Sequence, residues 1–265
     1  MNMTRVPVRR ERPTVAAWSL ALLVTMLMVY VLTLNRAMPE VAQTVSAAPN
    51  VTRPLALEPF RVYIVSMGDY DDGGRARVEA AGCASSGAAG FVTEVDGRWH
   101  VFGALYGSER DARRAASKLS QAGSGATVIA LEAEGLTLRV TAPERQIDAI
   151  AAAEAALRDQ LDQLGTLARQ LDRGEIEPDG AQTLCAMSAT ALDDARKALD
   201  GMPGASDNVL CAGLIEHIGA LYGQLNDIAQ SGRASSASLS GMLRLSQIDT
   251  FMRLRALRHT LLKGA

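Results

Sequence analysis

Few residues in this chain have the types and spacing that catalysis needs. Only three histidines occur, His100, His217 and His259. Each falls on a separate predicted element, and none has metal-ligand spacing with a cysteine or a carboxylate. A serine nucleophile on a strand-to-helix elbow would need a G-x-S-x-G run, and there is none. No P-loop or G-x-G-x-x-G fingerprint follows a predicted strand. Asp71-Asp72 lacks the ligand spacing of a calcium loop and reads as a helix opening. Glu175, Glu177 and Asp179 surround a turn and read as solvated. Cys83, Cys185 and Cys211 are an odd set. Cys185 and Cys211 fall on adjacent predicted helices, so they read either as a facing pair that could bridge or as buried free thiols. The expectation is a chain with no catalytic residues, no metal site and no cofactor.

The charge balance narrows the partners. There are 27 Lys and Arg against 29 Asp and Glu. A nucleic-acid reader needs a strong basic excess to neutralise phosphates, so no nucleic-acid partner is expected. Aromatics make up only 4% of the chain. Its core must therefore rest on aliphatic packing, and the Ala, Leu, Glu and Arg bias favours helices.

The elements that position these residues begin with residues 14–34, TVAAWSLALLVTMLMVYVLTL, which hold no Asp, Glu, Lys, Arg or His. About 20 apolar residues span the ~30 Å hydrocarbon core of a bilayer. Arg5, Arg9, Arg10 and Arg12 precede the run, and only Arg36 closely follows it. The positive-inside rule then puts residues 1–13 in the cytoplasm and the bulk of the chain outside. The rival, a cleaved signal peptide, needs a shorter apolar stretch and a nearer cleavage site than Ser46-Ala47-Ala48. The expectation is a single-pass protein of the bacterial cytoplasmic membrane.

Residues 35–59, with Pro39, Pro49, Pro54 and Pro59, read as a tether. Beyond it the pattern alternates. Val62–Met67, Phe91–Val95, Trp99–Leu105 and Thr127–Leu131 read as strands. Asp96-Gly97 reads as a hairpin turn between the middle two. Ala76, Ala80 and Cys83 mark one helix, and Ala112, Ala115, Ala116 and Leu119 another. Over residues 60–141 this predicts a β-α-β-β-α-β, ferredoxin-like order, with Leu136–Val140 as a possible edge strand. Residues 142–265 read as a helical bundle, with leucine stripes at Leu157–Leu171, Leu184–Leu199, Leu210–Ile228 and Leu239–Leu261. The fold class expected is α+β: a transmembrane helix, a βαββαβ domain and a C-terminal α-helical bundle.

The runs VYIVSMGDY (62–70) and GRWHVFGALYGSERDARRAASKL (97–119) resemble the SPOR domain, a module of bacterial envelope proteins. The resemblance covers about a quarter of the chain. It implies a βαββαβ, RNP-like fold that binds peptidoglycan glycan strands lacking stem peptides, in cell division or sporulation. Two positions depart from the family's pattern. Ser66 stands where glutamine is common, and His100-Val101 where an arginine-valine pair is common; each offers fewer hydrogen-bond donors. The helical region resembles no family with a known function and is expected to dock a division or sporulation partner.

In a split βαβ sheet both helices cover one face and leave the other open. Alternation puts Ser66, His100, Phe102 and Ala104 on that open face. Sugars have flat C–H faces that stack on aromatics, and hydroxyls that need hydrogen bonds. Phe102 would be the platform, Ser66 and His100 the polar contacts, and Trp99 and Tyr106 the rim. The opposing expectation is that Phe102 and Trp99 are core, capped by the helical bundle. Two functions follow: a glycan-strand binding protein, or a scaffold whose degenerate SPOR-like and helical parts contact proteins without holding sugar.

Overall fold

The computed structural model describes residues 49–264. Its first element is a strand, β1 (Asn50–Leu57), within the segment expected to be a tether. Then come β2 (Phe60–Tyr70), α1 (Gly73–Ser85), β3 (Phe91–Val95), β4 (Arg98–Tyr106), α2 (Glu109–Gln121) and β5 (Thr127–Ala133). β6 (Leu136–Pro143) precedes the helices α3 (Glu144–Asp172), α4 (Pro178–Asp200), α5 (Val209–Ala229) and α6 (Ser236–Gly264).

Local chemistry sets several boundaries. Asp72 caps α1, its carboxylate accepting from the Gly74 and Arg75 amides at 3.2 and 2.9 Å. Asp96 and Gly97 both take positive φ, 51° and 78°, which a two-residue hairpin requires. Pro178 sits in the first turn of α4, where its missing N–H costs nothing. Asn208 caps α5 through the Cys211 amide at 3.1 Å.

The expected fold class needs correction. The described chain is α+β with six helices and two small sheets. Among the described residues no helix is long and apolar enough to cross a membrane. The run at 14–34 lies outside the described residues, as do 1–13 and the first part of the expected tether. One sheet is four-stranded, in the order β3-β4-β2-β5. The other is a two-stranded antiparallel ribbon of β1 and β6, running from Asn50↔Pro143 to Leu57↔Leu136. Leu136–Val140 is thus a strand, but it does not extend the larger sheet.

Within the expected tether, β1 carries Pro54 in a ribbon with a partner on one side only, the setting in which a strand tolerates proline. Leu55 and Leu57 point inward with Leu136, Val140 and Ala142 onto Ile147 and Ile150 of α3. Thr52 and Thr141 share a hydroxyl hydrogen bond of 2.8 Å on the outer face.

Nor does residue 141 divide two cores, because residues 48–265 form one compact unit. On one face of the larger sheet, Val65 packs on Ala112 and Ala116 of α2, and Val101 on Ala76 and Ala80 of α1. Alanine side chains let both helices approach closely. The other face carries Val62, Ile64, Phe102 and Leu105. These join Leu157 and Leu161 of α3 and Leu239, Leu243 and Phe251 of α6 in one continuous core. The molecule therefore has helices on both faces of the sheet, and α4 and α5 extend the same core outward.

Polar clasps fix α6 in this arrangement. Buried Arg258 pairs with buried Glu154 of α3 and donates to the carbonyls of Glu58 (2.8 Å) and Glu134 (3.0 Å). Gln247 donates to the Leu161 carbonyl at 2.7 Å. Arg244 bridges Asp172 and the Gly87 carbonyl. Where α6 passes the α1–β3 loop, a Cβ at Gly241 would stand 3.0 Å from the Ala88 carbonyl oxygen. Cys185 and Cys211 are buried free thiols, and burial pushes the Cys185 thiol up to about 12.

Candidate functional site

The expected glycan residues separate into two groups. Ser66, His100 and Phe102 do share the face away from α1 and α2, but that face is covered. Phe102 is 0% exposed and Ser66 1%. The Phe102 ring lies between Phe91 (centroids 6.5 Å, 11° between planes) and His100 (6.0 Å, 30°). It is a core side chain, so the expectation that it offers a stacking platform is corrected. Ser66 spends its hydroxyl on the Gly68 carbonyl at 3.1 Å and stands 3.5 Å from His100 Nδ1. His100 keeps a half-exposed edge.

Trp99 turns to the opposite face. It packs on Gly73 of α1, with the Arg77 guanidinium 5.8 Å from its ring centroid. Tyr106 packs beside Tyr63 and Val65 on the α2 side, and burial raises its hydroxyl above the ordinary range. The five residues make no common surface.

A bulge explains why simple alternation misplaced the end of β4. Met67 and Gly103 drop out of register between Val65↔Ala104, Ser66↔Phe102 and Gly68↔Val101. The slip brings Leu105, not Ala104, onto the face of Phe102.

Among the described residues an open groove lies elsewhere, at the end of the sheet beside α3. It is a groove of about 370 Å³ lined by Phe60, Val62 and Leu105 from the strands, and by Arg158, Asp159, Leu161 and Asp162 from α3. Arg61 and Gly107 also line it. Arg61 is held by Glu132 at 2.7 Å. Arg158 lies over the Phe60 ring, 4.9 Å from the centroid. Arg258 approaches the same ring at 5.1 Å, and Phe251 meets it edge-on at 5.7 Å. Sequence reading missed this site because Phe60 borders the prolines and Asp159 and Asp162 look like a solvated helix face. The available signal was Arg158, Asp159 and Asp162 interrupting the flank of the Leu157–Leu161–Leu164 stripe.

The histidines remain apart, and among the described residues no group of three or more His, Cys, Asp or Glu is placed to hold a metal ion. His217 of α5 is half-buried, and neither ring nitrogen has a hydrogen-bond partner among the described residues. Burial lowers its pKa, and Glu216 beside it and Arg253 and Asp249 of α6 are its charged neighbours. The folded chain thus takes up this proton less readily than the unfolded chain. Stability from this group is complete above the ordinary value of 6.5 and is lost as pH falls below it. The wild type should therefore lose more stability than His217→Gln between about pH 7.5 and 5.5. Equal losses in urea titrations of the two proteins would remove His217 as the cause.

Comparison with known proteins found no matching family model, no similar curated protein and no similar solved structure.

Proposed function

We propose that this chain is a non-enzymatic scaffold of the bacterial cell envelope that contacts proteins, and that its SPOR-like sheet does not read glycan. One observation carries the proposal: α6 lies across the sheet face that a glycan strand would need. Phe102 and Ser66 are inaccessible beneath it, and Leu239, Leu243 and Phe251 take the place of a ligand. A sheet face given over to internal packing has no platform for sugar rings. The envelope setting, outside the cytoplasmic membrane, rests on the residue pattern at 14–34 and its arginine flank. The partner would be another envelope protein, in division or sporulation.

Glycan binding, which the resemblance implies, is the second reading. The half-exposed edge of His100 beside the covered face favours it. Co-sedimentation of the full chain with peptidoglycan sacculi, before and after an amidase strips the stem peptides, separates the two. The scaffold reading expects no enrichment over background in either case. Sedimentation that rises after stripping would overturn it.

A further inference from the structure

The groove beside α3 holds charges that internal packing does not use. On an isolated helix, Arg158 and Asp162 stand one turn apart and would pair. Here the Arg158 guanidinium is laid on Phe60 instead. That ring also meets Arg258 and Phe251, so the half-buried Arg158 rests on a ring anchored to the core. A guanidinium drawn to an aromatic face still has N–H donors to offer a carboxylate. Among the described residues Arg158 has no carboxylate partner, unlike Arg61, which also lines the groove and which Glu132 engages. Asp159 and Asp162 are exposed on the rim and are likewise free of ion pairs among the described residues. Beneath these three charges lies an aliphatic floor of Val62, Leu105 and Leu161.

We infer that this groove binds a short peptide with free termini: its carboxylate on Arg158, its ammonium at Asp159 and Asp162, and an aliphatic side chain on the floor. Size agrees. The groove's 370 Å³ falls near the lower end of ligand pockets, roughly 300–1,000 Å³. Four residues, about 6 Å of helix rise, separate Arg158 from Asp162, and an extended dipeptide of about 7 Å bridges that span. Charge disfavours the alternatives. A phosphate would meet two carboxylates for one free guanidinium. A neutral sugar would find the only aromatic, Phe60, already covered by Arg158. The inference holds whether or not the sheet reads glycan, because Ser66, His100 and Phe102 do not line the groove.

Calorimetric titration of the full chain with the dipeptide Ala-Leu tests it, with N-acetyl-Ala-Leu and Ala-Leu-amide as controls. Saturable binding of the free dipeptide is expected, weakened about tenfold or more by either cap and by Arg158→Gln, as loss of a charge-assisted hydrogen bond entails. The pair Asp159→Asn and Asp162→Asn, on an exposed rim, should weaken Ala-Leu and leave N-acetyl-Ala-Leu unchanged. No saturable heat up to about 10 mM, or equal affinity for free and capped peptides, would overturn the assignment.

Discussion

Arg258→Met lowers the unfolding free energy by about 3–5 kcal/mol, the usual cost of breaking a buried ion pair. Arg258 is 2% exposed and Glu154 7%. Removing the cation strands the carboxylate in the core and leaves the Glu58 and Glu134 carbonyls without their donor. The double change Arg258→Met with Glu154→Leu should recover most of the loss. Removing both charges also removes the cost of having taken them out of water, and the volume stays filled. Urea unfolding of the wild type, the single variant and the double variant reads the difference directly. A single variant as stable as the wild type would mean that the pair is solvated and that α6 is not clasped as described.

Phe102→Ala costs about 3–5 kcal/mol, as for other fully buried aromatic rings. The ring has no exposed surface and touches Phe91, His100 and the core beneath α6. His100→Ala, at a half-exposed position, should cost about 1 kcal/mol or less. For a chain of this size each kcal/mol moves the melting temperature by about 2–4 °C, so thermal melts distinguish the two variants easily. The consequence is practical. A joint Phe102 and His100 variant that lost glycan binding would be reporting a damaged fold, so His100→Ala alone is the usable probe of that face. A Phe102→Ala protein melting with the wild type would place the ring at the surface after all.

Much of the strand and helix order was legible from local patterns. Asp96-Gly97, the alternation in 62–67, and the leucines at 157, 161, 164, 167 and 171 each act within a few residues. Alternation also grouped Ser66, His100 and Phe102 on one face. What it lacked was the cover. α6 returns to that face more than a hundred residues later, and its buried side is not plainly apolar. Ser240, Ser246, Gln247, Thr250 and Arg258 are all buried there. A helix that hides polar groups hides its packing face from any periodicity test. β1 was lost for a related reason. Its partner, β6, lies about 80–90 residues away, and its proline argues locally against a strand. The groove depends on Phe60, α3 and the β4 bulge meeting in space, and no single segment announces that. The start of α3 carries no local signal either, since Pro143 occupies its cap position without a side-chain bond.

The clasp at Arg258 also bears on how the chain comes into being. Its guanidinium reaches the carbonyl of Glu58, 200 positions earlier in the chain, and Phe251 meets Phe60 across a similar span. A ribosome delivers the sheet long before it delivers the helix that seals it. Until α6 emerges, the sheet face of Ile64 and Phe102 lacks the cover of Leu239, Leu243 and Phe251. Such a nascent chain is exposed to aggregation and to holding chaperones for most of its synthesis. Contacts this distant in sequence form late and slowly. Emergence of α6, rather than completion of the sheet, is the step after which this part of the chain can first become native.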